Sequence, residues 1–269
     1  MLPSQRRQAV LRRLAAHGEV GFTDLAEEFG VSEMTIRRDL ESLEADGLAR
    51  RVRGGAISVV SRSYEPPLSV RAATASQAKA AIGSTAAALV NDGDTVIIDV
   101  GTTTLELARA LHGRRGLTVV TSSLPIAVEL GNDPDVRVLV TGGEVRHGEL
   151  SLAGGMAEDA FAGLNCDLAF IGVAGVCAKP GLTEYNPGDA RVKQAAIGAA
   201  RRAVVLADAS KLGRVAFATV APLSSVDVLV TDAAAGVPAT AAIAAAGVEI
   251  IEAKTDPDLV WTDGEGTDQ

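Results

Sequence analysis

"IIDVGTTTLELA", residues 97–108, decides the architecture of the larger part of this chain. β-branched and acidic residues run into Gly101, three threonines follow, and a helical pattern takes over. That is how a strand–loop–helix anion site is written. Gly101 lets the backbone approach a ligand, and the hydroxyls of Thr102, Thr103 and Thr104 can donate. The helix that follows offers free N–H groups and the positive end of its dipole. An enzyme can use such a loop to hold a phosphorylated substrate, and a sensor can use it to hold a signal. Alone the motif is weak, because small polar residues cap helices throughout α/β proteins.

Outward from this loop the pattern alternates. "QAKAAIGSTAAALV" is helical, "TVIIDV" is a buried strand and "TTLELARALH" is a helix. "LTVVTS", "VRVLVTGG", "CDLAFIGVAGV", "AVVLAD", "VDVLVTD" and "VEIIEA" read as further strands, with helices in "LPIAVELG" and "DARVKQAAIGAAR". Short Val/Ile/Leu runs separated by helices predict a mainly parallel sheet covered on both faces. Ligands of such sheets bind at the carboxyl ends of the strands. Those ends supply the candidate ligand residues: Asp99 and Gly101 to Thr104, Ser122 and Ser123, Gly142 and Gly143, and Asp208 with Lys211. Lys193 and Lys211 are candidates for the compensating charge that a phosphorylated ligand needs. The plain alternative for both is a solvated lysine.

The chain has 269 residues, 47% of them hydrophobic but only 3% aromatic, with a net charge of −9. That leaves room for a small domain and a medium one. The overall charge argues against nucleic acid, yet residues 1–62 hold 10 arginines and no lysine against 9 acids. This N-terminal piece is the part that is not strongly acidic. Cys166 and Cys177 sit in apolar surroundings and read as buried thiols of a reduced, cytoplasmic protein. With three histidines and none near either cysteine, no metal site or cofactor is expected. No uncharged run approaches the roughly 18 residues that a membrane span needs.

The first sixty residues read as three helices. "SQRRQAVLRRLAAHG" has Val10, Leu11 and Leu14 on one face. In "FTDLAEEFG" Thr23 is placed to cap, Leu25, Ala26 and Phe29 face inward, and Gly30 stops the helix. In "VSEMTIRRDLESLEADG" Ser32 caps, Ile36, Leu40 and Leu43 form the inner stripe, and Gly47 ends the helix. The short Gly-Val turn between helices two and three is a helix-turn-helix layout. Opposite the stripe, Met34 and Arg38 point away, with Thr35 and Arg37 on the flanks. A recognition helix presents such a face to a major groove. "LARRVRGGAISVV" then reads as a strand pair turning at Gly54-Gly55, with Arg51 and Arg53 on a wing able to hold phosphate. The alternative is a three-helix interaction module with solvated arginines.

"SEMTIRRDLESLEADGLARRVRGGA" closely resembles the winged helix-turn-helix of the DeoR/GlpR family of bacterial transcription regulators. The resemblance places Ser32, Thr35, Arg37 and Arg38 on the DNA-reading helix. Asp39, unfavourable beside phosphate, is read as pairing with a neighbouring arginine. "IIDVGTTTLELARAL", "TGGEVR", "SLAGGMAE", "GLTEYNPGDARVKQAAI" and "LADASKLGRVAF" resemble the DeoR-type C-terminal sensor domain, and the likeness spans roughly residues 5 to 232. It implies a fold similar to ribose-5-phosphate isomerase and a phosphorylated sugar or related metabolite as effector. Two departures stand out. Ser122 occupies a place where many relatives have Asn, and "EYNPGDA" brings Asn186, Pro187 and Asp189 to a loop expected at the mouth of the pocket.

The same resemblance bears on catalysis. Moving a proton beside a carbonyl needs a positioned carboxylate, which the isomerase fold supplies after the strand matching "AFIGVAGV". Here the corresponding residues are Val173, Ala174 and Gly175, so a sensor is expected and no catalytic residue. The alternative is a sugar-phosphate enzyme with an accessory DNA-binding domain. The expected organisation is a winged helix-turn-helix over residues 1–60, a linker over 61–74, an α/β sensor over 75–255 and an acidic tail over 256–269. A single small winged domain buries too little DNA for tight binding. A homodimer or homotetramer on operator DNA with repeated half-sites is therefore expected.

Overall fold

A computed structural model of the chain describes residues 3–45, 48–58 and 62–254. Contacts divide it into two compact units, Met1–Tyr64 and Glu65–Gln269. Gly47 and the acidic tail over 256–269 lie outside the described residues, as does residue 61 of the expected linker.

The first unit contains α1 (Pro3–His17), β1 (Glu19–Gly21), α2 (Phe22–Phe29), α3 (Glu33–Ala45), β2 (Ala49–Val52) and β3 (Gly55–Ser58). Ile36, Leu40 and Leu43 of α3 are buried against Val10 and Leu14 of α1 and against Leu25 of α2. Each such side chain contributes about 1.5–3 kcal/mol through burial. Gly30 ends α2 in the left-handed conformation. Thr23 does not cap α2. The cap position falls two residues earlier, at Gly21, so the helix starts at Phe22, and the Thr23 hydroxyl donates to Glu33 instead. The wing is also larger than a strand pair. The three residues of β1 join it in the order β1-β3-β2. The register Val52↔Gly55 puts Arg53 and Gly54 at the hairpin tip, one residue earlier than the sequence suggests. Gly55 is needed for another reason: a Cβ there would meet the Val20 carbonyl oxygen at 1.8 Å.

The second unit opens with α4 (Leu68–Ala73), inside the stretch read as a linker, and α5 (Ser76–Ala87). Then come β4 (Thr95–Ile98), α6 (Thr102–Ala110), β5 (Leu117–Thr121), α7 (Leu124–Leu130) and β6 (Val136–Val140). A small hairpin, β7 (Glu144–Val145) and β8 (Leu152–Ala153), leads to α8 (Gly155–Asp159). The remainder is β9 (Cys166–Gly172), β10 (Gly175–Cys177), β11 (Gly181–Glu184), α9 (Pro187–Gly198), β12 (Ala200–Leu206), β13 (Ala218–Ala221), β14 (Val228–Thr231), α10 (Pro238–Ala244) and β15 (Glu249–Glu252).

Seven strands form one parallel sheet in the order β15-β14-β12-β9-β4-β5-β6. Successive residues of a strand face opposite sides. Val96 and Ile98 accordingly pack with Ile82 of α5, Leu107 of α6 and Ile126 of α7. Ile97 packs on the other face with Val192 and Ala196 of α9. "CDLAFIGVAGV" is not one strand. After Gly172 the chain leaves the sheet, and Gly175–Cys177 joins a separate antiparallel sheet, β10-β11-β13. Cys166 is buried as expected, whereas Cys177 is only partly covered; both are free thiols.

The chain runs outward from β4 through β5 to β6, then returns to β9 and runs outward the other way. The order reverses between β4 and β9. Loops diverge at such a point and open a crevice at the carboxyl ends of the strands. The loop after β4 is the threonine loop.

Candidate functional sites: a recognition helix and a threonine loop

Ser32 caps α3, its hydroxyl accepting from the Thr35 amide at 3.3 Å and lying 3.0 Å from the Thr35 hydroxyl. Met34 is 59% exposed, and Arg38 is exposed without an ion-pair partner among the described residues. Arg37 lies 4.1 Å over the Phe22 ring and 3.6 Å from Glu33, which holds it on the flank of the helix. Phe22, Arg37, Glu44, Arg51, Val52, Arg53 and Gly54 line an open cleft between α3 and the hairpin. Arg53 sits exposed at its tip.

Two arginine readings need correction. Arg51 is not a free wing arginine: it donates to Glu44 at 2.7 Å and to Glu41 at 2.6 Å, tying β2 to α3. Two carboxylates already engage its Nε and one terminal nitrogen. Asp39 does pair with an arginine, but with Arg6 of α1 at 2.5 Å rather than with Arg37 or Arg38. Both side chains are 8% exposed, so this buried pair fixes the orientation of α3 from behind and leaves Arg38 unengaged.

In the second unit, Gly101 precedes α6 with φ 148°, where a side chain would be strained, and a Cβ would approach the Thr104 hydroxyl at 3.1 Å. The first helical bond runs from the Leu105 amide to the Gly101 carbonyl. The amides of Thr102 to Thr104 therefore have no partner within the helix. Thr104 donates its hydroxyl to the Gly101 carbonyl at 3.0 Å and so shapes the loop. Thr102 and Thr103 are the hydroxyls left over.

Asp99, the first residue after β4, and Lys193 of α9 form a buried ion pair and do not present free charge to a ligand. Lys193 binds Asp99 and stands 3.4 Å from Glu184, both members of the Asp99 pair being 2% exposed. Burial pulls the ammonium down, but Asp99, Glu184 and Asp189 outweigh it and hold Lys193 above its ordinary value. Its charge is spent inside the protein. Asp99 also accepts from the Gly172 amide at 3.0 Å, bridging β4 and β9 at the switch point.

The other strand ends serve unequally. Ser123 caps α7, accepting from the Ile126 amide, which is the plain role for such a residue. Ser122 is buried, its carbonyl held by the Leu152 amide at 2.8 Å. Gly142 and Gly143 turn away from β6 with φ 74° and 114°. Asp208 accepts from the Ser210 amide at 2.9 Å. Asn186 caps α9 and Pro187 begins it, while Asp189 in its first turn pairs with Arg146. Val173, Ala174 and Gly175 follow β9, and the nearby acids Asp99, Asp189 and Asp208 each have a partner.

The sequence reading missed Lys79 and Tyr185. A Cβ on Gly83 would meet the Glu106 carbonyl carbon at 2.6 Å, so α5 and α6 touch backbone to backbone. Lys79, one turn earlier on α5, lies within electrostatic reach of Glu106 on α6. It is buried, and burial with Lys211 and Arg71 nearby pulls its ammonium down to about 8. Lys211 and Arg214 lie 6.0 and 5.3 Å from the Tyr185 ring centroid. The Tyr185 hydroxyl is buried without a hydrogen-bond partner among the described residues, and burial keeps it protonated. The "EYNPGDA" departure was the available signal for Tyr185. Lysine on an ordinary helix gives none.

Comparison with known proteins agrees with this layout. The DeoR-like helix-turn-helix domain matches residues 6–62, and the DeoR C terminal sensor domain matches residues 74–233. The chain is 34% identical to the HTH-type transcriptional regulator GlpR of Haloferax volcanii, over 94% of this chain and 98% of that protein. It is 33% identical to the Glycerol-3-phosphate regulon repressor of Escherichia coli, over 87% and 92%. It is 32% identical to a Putative aga operon transcriptional repressor of Escherichia coli O157:H7, over 92% and 93%. Ribose 5-phosphate isomerase A of Methanocaldococcus jannaschii superposes on 49% of this chain and 52% of its own at 19% identity and TM-score 0.37, too low to bear on function. Among the described residues, no helix is long and apolar enough to cross a membrane. With the family's helix-turn-helix at one end and its sensor domain over most of the rest, this chain belongs to the DeoR family of DNA-binding transcriptional regulators and is not an enzyme.

Proposed function

We propose that this regulator is a cytoplasmic repressor of a carbohydrate operon, released from its operator by a phosphorylated sugar or sugar-derived metabolite. The observation that carries this reading is the threonine loop at the switch point. Three amides without a partner inside the helix and the hydroxyls of Thr102 and Thr103 lie at this loop. The helix α5 packs on the same helix, and Lys79 of α5 has Lys211 as an electrostatic neighbour. Helix amides and ammonium groups together favour a phosphate. Tyr185 and Ser151, whose buried hydroxyls have no hydrogen-bond partner among the described residues, supply polar atoms for sugar hydroxyls. Two relatives are named as repressors, one of a glycerol-3-phosphate regulon.

On the DNA side, Met34, Thr35, Arg37 and Arg38 form the reading face, Ser32 sets the helix start and Arg53 holds backbone phosphate. A homodimer or homotetramer supplies the second half-site that tight binding needs. Isothermal titration of the full chain with a sugar-phosphate panel and the matched neutral sugars tests the effector reading. A phosphate ester binds and its neutral sugar does not. Equal heats from both would overturn the reading.

A further inference from the structure

The segment Glu65–Ala73 follows directly on Tyr64, the last residue of the DNA-binding unit. It is strapped to the sensor by charge. Arg71 of α4 donates to Glu149 and to the Pro66 carbonyl at 3.0 Å, and it lies 3.2 Å from Glu65. Glu65 is shared with Arg146 at 2.9 Å, and Arg146 also binds Asp189 at the start of α9. The five side chains are between 5% and 21% exposed, so water screens them little. Lys79 closes the ring from the other side, donating its ammonium to the Arg71 carbonyl.

The strap also packs on α6, the helix that the threonine loop begins. Arg71 is an electrostatic neighbour of Lys79, Lys211 and Tyr185. The planar Arg71 guanidinium, which faces Glu65 and Glu149, has the geometry to bind a phosphate bidentately as well. Leaving Glu149 has a cost that the phosphate contacts must offset, because burial pushes that carboxylate above its usual range.

Building on the phosphate reading of the threonine loop, we infer that Arg71 is a switch residue. A phosphorylated ligand at Thr102–Thr104, Lys79 and Lys211 draws Arg71 away from Glu149 and Glu65. The strap Glu65–Ala73 loosens as a result. Because the strap continues covalently into the DNA-binding unit, its loosening is the route by which ligand binding changes DNA affinity. The differential interaction that such coupling needs is the exchange of Arg71 partners.

The test is hydrogen exchange by mass spectrometry on the full chain, with inorganic phosphate as the probe and chloride at equal ionic strength as the control. Calorimetry measures phosphate affinity in parallel. The Arg71 amide bonds the Pro67 carbonyl and the Thr74 amide bonds the Val70 carbonyl, so peptides over 68–74 report the strap. Phosphate should speed their exchange at least fivefold, and chloride should not. In Glu149→Gln the strap should exchange fast without phosphate, and phosphate should bind several-fold tighter because its competitor has lost its charge. In Thr103→Ala phosphate binding should fall and strap exchange should stop responding. If phosphate binds and Thr103→Ala abolishes it, but wild-type strap exchange is unchanged, the switch is overturned and the anion site stands. The same holds if Glu149→Gln changes neither exchange nor affinity. If phosphate fails to bind, or binds Thr103→Ala as well as wild type, the anion site itself is overturned, and the switch with it.

Discussion

Lys193 and Asp99 form a buried ion pair, with both side chains 2% exposed. The pair joins α9 to the end of β4, the strand that leads into the threonine loop. Breaking a buried pair by removing one partner leaves an uncompensated charge and typically costs about 3–5 kcal/mol. Lys193→Met should therefore lower the melting temperature of the sensor by several degrees. Adding Asp99→Asn should recover much of the loss. Thermal denaturation of the two variants checks this, and a single variant as stable as wild type would remove the pair from the account.

On the DNA side, the two exposed arginines should separate in effect. Arg38→Ala should cost about 1–3 kcal/mol on the cognate site and relax its specificity. Arg53→Ala should weaken all DNA alike and reduce the salt slope by about one, because a phosphate contact carries no sequence information. Arg51→Ala should change the salt slope little, since its guanidinium is held by Glu41 and Glu44. Operator titrations at several salt concentrations measure all three.

Lys79 gives the site a pH signature. Its ammonium is pulled down to about 8 by burial, so it is largely charged at pH 7 and largely neutral at pH 9. A phosphate monoester has its second pKa near 6 and stays a dianion over that window. Phosphate-ester affinity should therefore fall, by about tenfold, as pH rises from 7 to 9, in proportion to the loss of one charged hydrogen bond. Calorimetry across that range should find the dependence weakened in Lys79→Met, Lys211 carrying the rest because burial also pulls its ammonium below the ordinary value. A rise of affinity with pH would contradict the assignment.

These cases mark what a sequence can carry. The recognition helix is legible because Ile36, Leu40 and Leu43 repeat at helical spacing, Gly30 ends the helix before it and Ser32 caps its start. The parallel sheet is legible because its central strands are short apolar runs buried on both faces, as in β4 and β9. The threonine loop is legible from local chemistry alone. What is not legible depends on partners far along the chain. Asp39 finds Arg6, 33 residues away, and Lys193 finds Asp99, 94 residues away. Lysine is normally solvated, so neither the buried Lys193 nor Lys79 announces itself. The three-residue β1 is too short for a pattern, and α4 is hidden by Pro66-Pro67, which reads as a break.

Assembly is open to a direct check. Light scattering should find a dimer or tetramer at working concentration, and a duplex with two half-sites should bind far more tightly than one with a single half-site. A monomer that binds a lone half-site tightly would count against it.

The central claim is that occupation of the threonine loop by a phosphate ester controls DNA affinity. Fluorescence anisotropy of the protein's own upstream DNA, titrated with the full chain, measures it most directly. With the matching phosphate ester present, affinity should change about 5- to 150-fold, the range of a coupling of roughly 1–3 kcal/mol. The corresponding neutral sugar should change nothing, and Thr103→Ala and Lys211→Ala should bind DNA normally without responding. A neutral sugar as effective as its phosphate, or an undiminished response in both variants, would contradict the account.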